Sequence, residues 1–396
     1  MAKVRTGIDR LQDENQYKLF KGNVGVLCHS ASIDSKLNHT LEIMLKLFGD
    51  RVKKVYGPQH GFVTDVQDNM IESDHFTHPY FKLPIYSLYS ETRVPTDEML
   101  AGIDHLFVDM QDVGTRIYTY IYTMTHLLEK CANLDIEVII LDRPNPIGGL
   151  QTEGNILDTK FASFVGRHEL AVRHGMTMAE VALMHQKYFF DKKANLKIIE
   201  MDGWKREMYF EDTELPWVMP SPNLPTIEGC IPFVGTVLFE GTNISEGRGT
   251  TRSLEIVGHP GIEPWSFKTK LNDIFKATEL NGFFLRPINF QPTFQKHAGI
   301  GCGGYQIHIT DRKAFQPWKT CQLILQALVQ ELGDDFHYKN DPYEYGEDMN
   351  PMDMINGDDR YREFYEKNLD YNTLLKLESE NQDLFQERRE SILIYK

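Results

Sequence analysis

Short apolar runs alternate with helical periodicity through the first half of the chain. The runs at 24–28, 52–56, 83–88, 106–108, 138–141 and 196–201 have the length and composition of buried strands. Between them, Leu37, Leu41, Met44, Leu45 and Phe48 trace one face of a helix that Gly49 closes. From Tyr118 onward, Ile121, Met124, Leu128 and Cys131 recur at helical intervals. Pro95, Thr96, Asp97 and Glu98 form a helix-start signature, and Thr177 with Glu180 forms a capping box that opens a helix to Phe190. Strands alternating with helices this regularly predict an α/β fold with a Rossmann-like, mainly parallel sheet.

Around Leu215 the pattern changes. Residues 215–226, LPWVMPSPNLPT, hold four prolines and must be extended or turning. This places a hinge near residue 220, with a Rossmann-like domain at 1–220, a smaller α+β domain at 221–396 and a cleft between them. In the second part we expect a short strand starting at Gly235, then a glycine-punctuated loop to Thr251. A strand at 305–309, a helix at 319–332 and one charged helix at about 374–390 complete the expected elements.

Composition narrows the function classes. A length of 396 residues, 41% hydrophobic and 25% charged, is that of a globular chain with more than one core. A net charge of −15 argues against a nucleic-acid backbone or an anionic membrane as partner, though local arginines can still bind a small anion. The five cysteines are scattered and form no C-x-x-C pair, which argues against a disulfide framework or a zinc site. The opening MAKVRTGIDRLQDEN lacks an apolar signal core, so the chain as written reads as cytoplasmic, or as periplasmic or secreted if a signal peptide has been removed.

Candidate chemistry gathers in polar loops at strand ends. LFVDMQDVGTRIYTY, residues 106–120, passes from an apolar strand into Asp109, Asp112, Gly114 and Arg116, the place where open α/β sheets build their sites. GPQHGF, residues 57–62, uses two glycines and a proline to hold Gln59 and His60 in the open. DRPNPIGG, 142–149, places Arg143 at another strand end, and EGTNISEGRGTT, 240–251, presents Glu240, Asn243, Glu246, Arg248 and Thr250. Paired carboxylates beside aromatic rings suit glycosidic cleavage, with one acid protonating the leaving oxygen and a second group stabilising the oxocarbenium-like centre or activating water. The arginines suit a substrate carboxylate. Gly299–Gly304 lacks the βαβ context of a dinucleotide loop, and His168 and His174 have no third partner for a metal.

Six motifs in order, GPQHGF, DMQDVGTRIYTY, LDRPNPIGG, RHGMTMAE, LPWVMPSPNLPT and EGTNISEGRGTT, together closely resemble the exo-β-N-acetylmuramidases of the NamZ type, from about Thr6 to the PYEYGEDMNPMDMINGD segment ending at Asp358. The resemblance implies a Rossmann-like amino-terminal domain and a smaller carboxy-terminal one. It also implies release of terminal N-acetylmuramic acid from the non-reducing end of peptidoglycan fragments, with no cofactor and no metal. On that reading Asp112, Glu240 and Glu246 are the carboxylate candidates and His60 an auxiliary proton carrier. Arg116 and Arg248 would hold the lactyl carboxylate, while Gln59, Tyr118, Arg143, Asn223, Asn243 and Thr250 would contact sugar. The family's usual G-P-E-H-G reads G-P-Q-H-G here, and an amide at Gln59 cannot act as general acid. Three readings follow: another group is the acid, the chain is a non-catalytic binder of cell-wall sugars, or its specificity has shifted. A nucleotide-using enzyme is a further alternative on the sheet alone.

Overall fold

The computed structural model describes residues 3–396 apart from 69 and 347. Its main sheet has seven strands in the order Phe76–Thr77, Pro84–Ser87, Val52–Gly57, Val24–Leu27, His105–Val108, Glu137–Leu141 and Leu196–Ile199. All pairings are parallel except that of the short edge strand Phe76–Thr77. The central strands are buried on both faces, which is why they read as unbroken apolar runs. The helix Thr40–Phe48 ends at Gly49 in a positive-φ conformation, and Tyr120–Leu134 and Met178–Tyr188 supply further covering helices. The capping box at Met178–Tyr188 is formed as expected, with Thr177 N donating to Glu180 Oε2 at 3.0 Å. Thr96 caps the helix Asp97–Leu100, which is a single turn.

The second half carries a three-stranded antiparallel sheet, in which Cys302–Ile309 lies between Ile256–His259 and Phe283–Phe290. Helix Pro317–Leu332 is buried along most of its length, with Trp318 fully enclosed. One apolar cluster runs from Leu27 in the main sheet to Ile392 near the carboxy terminus, so the two halves share a core. The chain end also returns to the first half, where Tyr395 OH donates to Asp142 Oδ2 at 2.7 Å.

Two expected elements are corrected. The apolar residues after Gly235 form helix Cys230–Thr236 and a 3₁₀ continuation, Val237–Gly241, not a strand. A run buried on every side has no periodicity to separate helix from strand. Gly235 allows the close packing of this helix on Pro317–Leu332, because a Cβ there would lie 2.1 Å from the Pro317 carbonyl oxygen. The charged carboxy-terminal helix is in fact two, Tyr371–Ser379 and Gln382–Glu390, divided where Asn381 adopts a left-handed conformation. Among the described residues no helix is long and apolar enough to cross a membrane.

Candidate active site

Strand Val52–Gly57 delivers a tight loop at the carboxyl end of the sheet. A Cβ on Gly57 would lie 2.5 Å from the Phe62 backbone nitrogen, so the fold-back requires glycine. His60 and Gly61 both have positive φ, 68° and 75°. The loop does not leave Gln59 and His60 in the open, as the glycines and proline suggested: they are only 8% and 7% exposed. Sequence-distant segments cover them. Tyr120 OH bridges from the Gln59 carbonyl to that of Pro220, and Ser221 Oγ lies 3.1 Å from His60 Nε2.

Gln59 sits in a directed chain of hydrogen bonds. Thr119 Oγ1 donates to Gln59 Oε1 at 2.6 Å, which turns the amide nitrogen toward Glu344. Gln59 Nε2 then donates to Glu344 Oε1 at 2.9 Å, and Tyr89 OH donates to Glu344 Oε2 at 2.7 Å. Burial lifts the Glu344 carboxyl to about 7; Glu240 adds to the rise, while the two donors and Arg248 oppose it. Glu344 occupies a hairpin turn closed by Gly346 N donating to the Tyr343 carbonyl at 2.8 Å. Both central residues, Glu344 and Tyr345, are left-handed, with φ of 45° and 66°. Glycine or asparagine normally fills such positions, and each non-glycine residue there costs on the order of 1–3 kcal/mol.

The opposite wall is charged. Glu240 accepts from Tyr343 OH at 2.7 Å and forms a short ion pair with Arg248. Arg248 Nε lies 3.0 Å from Glu246 Oε1, and Glu246 Oε2 is 2.7 Å from Lys296 Nζ. Burial works against charge on Glu246, but Lys296 and Arg248 outweigh it and hold its carboxyl below the ordinary range. Arg248 is likewise buried, yet Glu240 and Glu246 push its ionisation above that of a free guanidinium. Tyr118 faces the same cavity, and its hydroxyl has no hydrogen-bond partner of good geometry among the described residues. Asn223 is also on the wall, with Nδ2 donating to the Gln67 carbonyl at 2.5 Å.

Among the residues singled out from sequence, the fold therefore brings Gln59, His60, Tyr118, Asn223, Glu240 and Arg248 around one cavity, with Glu246 behind Arg248. Burial, aided by Arg248, lowers the His60 imidazole to about 4, and Nδ1 is engaged by the Val66 carbonyl at 2.9 Å. The ring is thus neutral at neutral pH, donating from Nδ1 and accepting from Ser221.

Five expected contacts lie elsewhere. Arg116 is fully buried and donates to the carbonyls of Asn155, Leu170 and Ile355 at 3.0 Å and of Asn356 at 2.8 Å. It fastens the first half to the helix Pro351–Asn356 and has no donor pair left for a lactyl group. Asp112 closes its own turn, accepting from Gly114 N at 2.7 Å and lying 3.6 Å from His174 Nε2. Arg143 is ion-paired with the fully buried Asp109 at 2.5 Å, clamping adjacent strand ends. Asn243 ties its loop to the 335–337 segment through the Asp335 carbonyl and His337 N. Thr250 Oγ1 donates to the Gly247 carbonyl at 2.6 Å. Arg116, Asp112 and Arg143 satisfy buried backbone or a buried charge, and Asn243 and Thr250 tie loop backbone together, demands that local sequence does not reveal.

The inner cavity has an apolar floor that includes Leu224, Phe233, Val237 and Leu254, and only about 40 Å³ of free space, room for water and not for a pyranose. Beyond it lies an open depression of about 640 Å³, bordered by Arg93, His126, Phe164, Arg167, His168 and Tyr345 among others. Glu344 alone among the described residues lines both hollows. At the edge of the depression, donor atoms of Glu129, His168 and His185 lie within 4.8 Å of one another. Glu129 is already ion-paired with Arg167 at 3.1 Å and lies 3.0 Å from His185, so its charge is met by protein groups and a guanidinium stands where a cation would be repelled.

Sequence reasoning missed Glu344, Tyr343, Thr119 and Ser221. PYEY looks like an ordinary charged turn, and nothing in its composition announces two successive left-handed residues. The available signal was indirect: an amide at residue 59 leaves an acid to be found elsewhere.

Comparison with known proteins agrees with the motif reading. Residues 24–228 match the N-terminal family model of exo-β-N-acetylmuramidase NamZ, and residues 231–395 match its C-terminal model. Peptidoglycan β-N-acetylmuramidase NamZ of Bacillus subtilis (strain 168) is 40% identical over 336 residues, spanning 85% of this chain and 80% of that protein. Two crystal structures of DUF1343 family proteins from Bacteroides fragilis are similar throughout. One has a TM-score of 0.88 at 28% identity, covering 100% of this chain and 99% of its own. The other has a TM-score of 0.75 at 25% identity, covering 99% of each chain. On motif order, fold and matched length alike, the chain belongs to the exo-β-N-acetylmuramidase NamZ family.

Proposed function

We propose that this chain is a glycoside hydrolase that releases terminal N-acetylmuramic acid from the non-reducing end of peptidoglycan fragments. Family membership supports the reading, because the Bacillus subtilis relative is a peptidoglycan β-N-acetylmuramidase. The observation that carries it is convergence: segments around residues 59, 118, 223, 240–248 and 343 meet at one small cavity with carboxyl groups and a guanidinium. Carboxyl groups serve proton transfer and stabilise positive charge at the anomeric carbon. Arg248 is the guanidinium on the cavity wall and would meet a lactyl carboxylate by exchanging its Glu240 or Glu246 partner, and Tyr118 and Asn223 are positioned for sugar hydroxyls. Seating a pyranose must widen the inner cavity, while the outer depression already has the volume of a ligand pocket.

Incubation with N-acetylmuramyl-β-1,4-N-acetylglucosamine, followed by mass spectrometry, tests this reading. Free N-acetylmuramic acid is the expected product. Saturable binding of the disaccharide without any cleavage would refute the enzyme reading in favour of a sugar-binding protein.

A further inference from the structure

We propose that Glu344 is the proton donor to the glycosidic oxygen, with the scissile bond lying at the partition between the inner cavity and the outer depression. The assignment rests on the glycosidase reading above. Its first support is position: a carboxyl at the one place common to both hollows can reach an oxygen that joins a sugar on each side. Its second is the strained turn, which holds a non-glycine residue left-handed and points its side chain inward. Its third is the partner set. Glu240 and Glu246 spend their charge on Arg248 and Lys296, whereas Glu344 has no ion-pair partner among the described residues and meets only Gln59 and Tyr89. Gln59 has no proton to give at neutral pH. It acts as a positioning residue, oriented by Thr119 and fixing one oxygen of the Glu344 carboxyl. With that carboxyl raised to about 7, a large fraction is protonated at neutral pH and can be ionised in the reaction.

In the step, the Glu344 proton passes to the glycosidic oxygen as the bond from the anomeric carbon breaks and its electron pair stays on that oxygen. The departing sugar leaves as an alcohol into the outer depression. Water bonds to the anomeric carbon, and the proton it sheds returns to the Glu344 carboxylate. The net reaction consumes one water and regenerates the acid.

The test compares the native chain, Glu344→Gln and Glu344→Asp on the disaccharide and on 4-nitrophenyl N-acetyl-β-muramide, whose nitrophenolate departs without a proton. Glu344→Gln is expected to lose about 10²–10⁴-fold in kcat on the disaccharide, and less than about tenfold on the aryl glycoside, as befits loss of acid assistance alone. The alkaline limb of its kcat/KM profile should disappear, while Glu344→Asp keeps that limb at a lower rate. Equal losses on both substrates, or an unchanged alkaline limb in Glu344→Gln, overturns the assignment. Should Glu344→Gln fail to fold, equal losses on both substrates in Glu344→Asp overturn it instead. A native chain that cleaves neither substrate overturns the glycosidase reading itself, and this proposal with it.

Discussion

Replacing Glu344 by glutamine should change the stability of the protein in a pH-dependent way that is separate from its effect on turnover. Burial lifts this carboxyl from 4.5 to about 7 in the folded chain. At about 1.4 kcal/mol per tenfold change in proton affinity, the shift is worth about 3 kcal/mol. The folded state holds the proton more tightly than the unfolded one. The contribution is therefore fully present below about pH 4.5 and lost as the pH rises through about 7. Glutamine removes this titration. Its oxygen can still accept from Gln59, while its amide nitrogen can only donate to the Tyr89 hydroxyl, a reversal that costs at most about 1 kcal/mol at any pH. By pH 5 the native chain has already lost about 0.8 kcal/mol of this contribution, so the variant should match it to within about 1 kcal/mol there and be more stable by about 2–3 kcal/mol at pH 8. Urea unfolding followed by tryptophan fluorescence at the two pH values measures both differences. Asp142 and Glu153, also raised to about 7 by burial, are present in both proteins and cancel. A difference of the same sign and size at pH 5 and pH 8 would refute the reasoning.

Two further outcomes follow from the same geometry. Gln59→Glu sets a second carboxyl against Glu344 so that the two share a proton; the alkaline limb of the pH–rate profile should move upward while the optimum rate changes by less than about tenfold, and a gain of about 10²–10⁴-fold would instead make residue 59 the acid. Arg116→Met strands four buried carbonyl groups that one guanidinium now satisfies; it should destabilise the chain by roughly 4 kcal/mol in urea unfolding, and an unchanged midpoint would show that this side chain is not the fastening described above.

Much of the architecture was legible because its cause is local. The strands ending at Leu27, Val108 and Leu141 are apolar on both faces, so their sequences are continuous hydrophobic runs. Thr177 and Glu180 satisfy each other's backbone groups, and Gly49 takes a conformation that other residues avoid. The helix at Cys230–Thr236 was misread because full burial erases periodicity, and the helix pair at the carboxy terminus because Asn381 terminates one charged stretch without a glycine or proline to mark it. The candidate site was half legible. The GPQHGF loop and the glycine-rich loop at 240–251 both reach the inner cavity, whereas Asp112, Arg116 and Arg143 serve buried backbone and Asp109.

What the chain determines by itself is the alternation that builds the sheet, the turns that demand glycine, and the substitution that leaves an amide at Gln59. What only the tertiary structure decides is which polar groups are already consumed and which carboxyl stands over the cavity. Glu344 is separated from Gln59 by 285 positions, yet their side chains meet at 2.9 Å. Proton affinity depends on the solvent excluded and the charges nearby, and both are set by segments that approach only when the chain is folded.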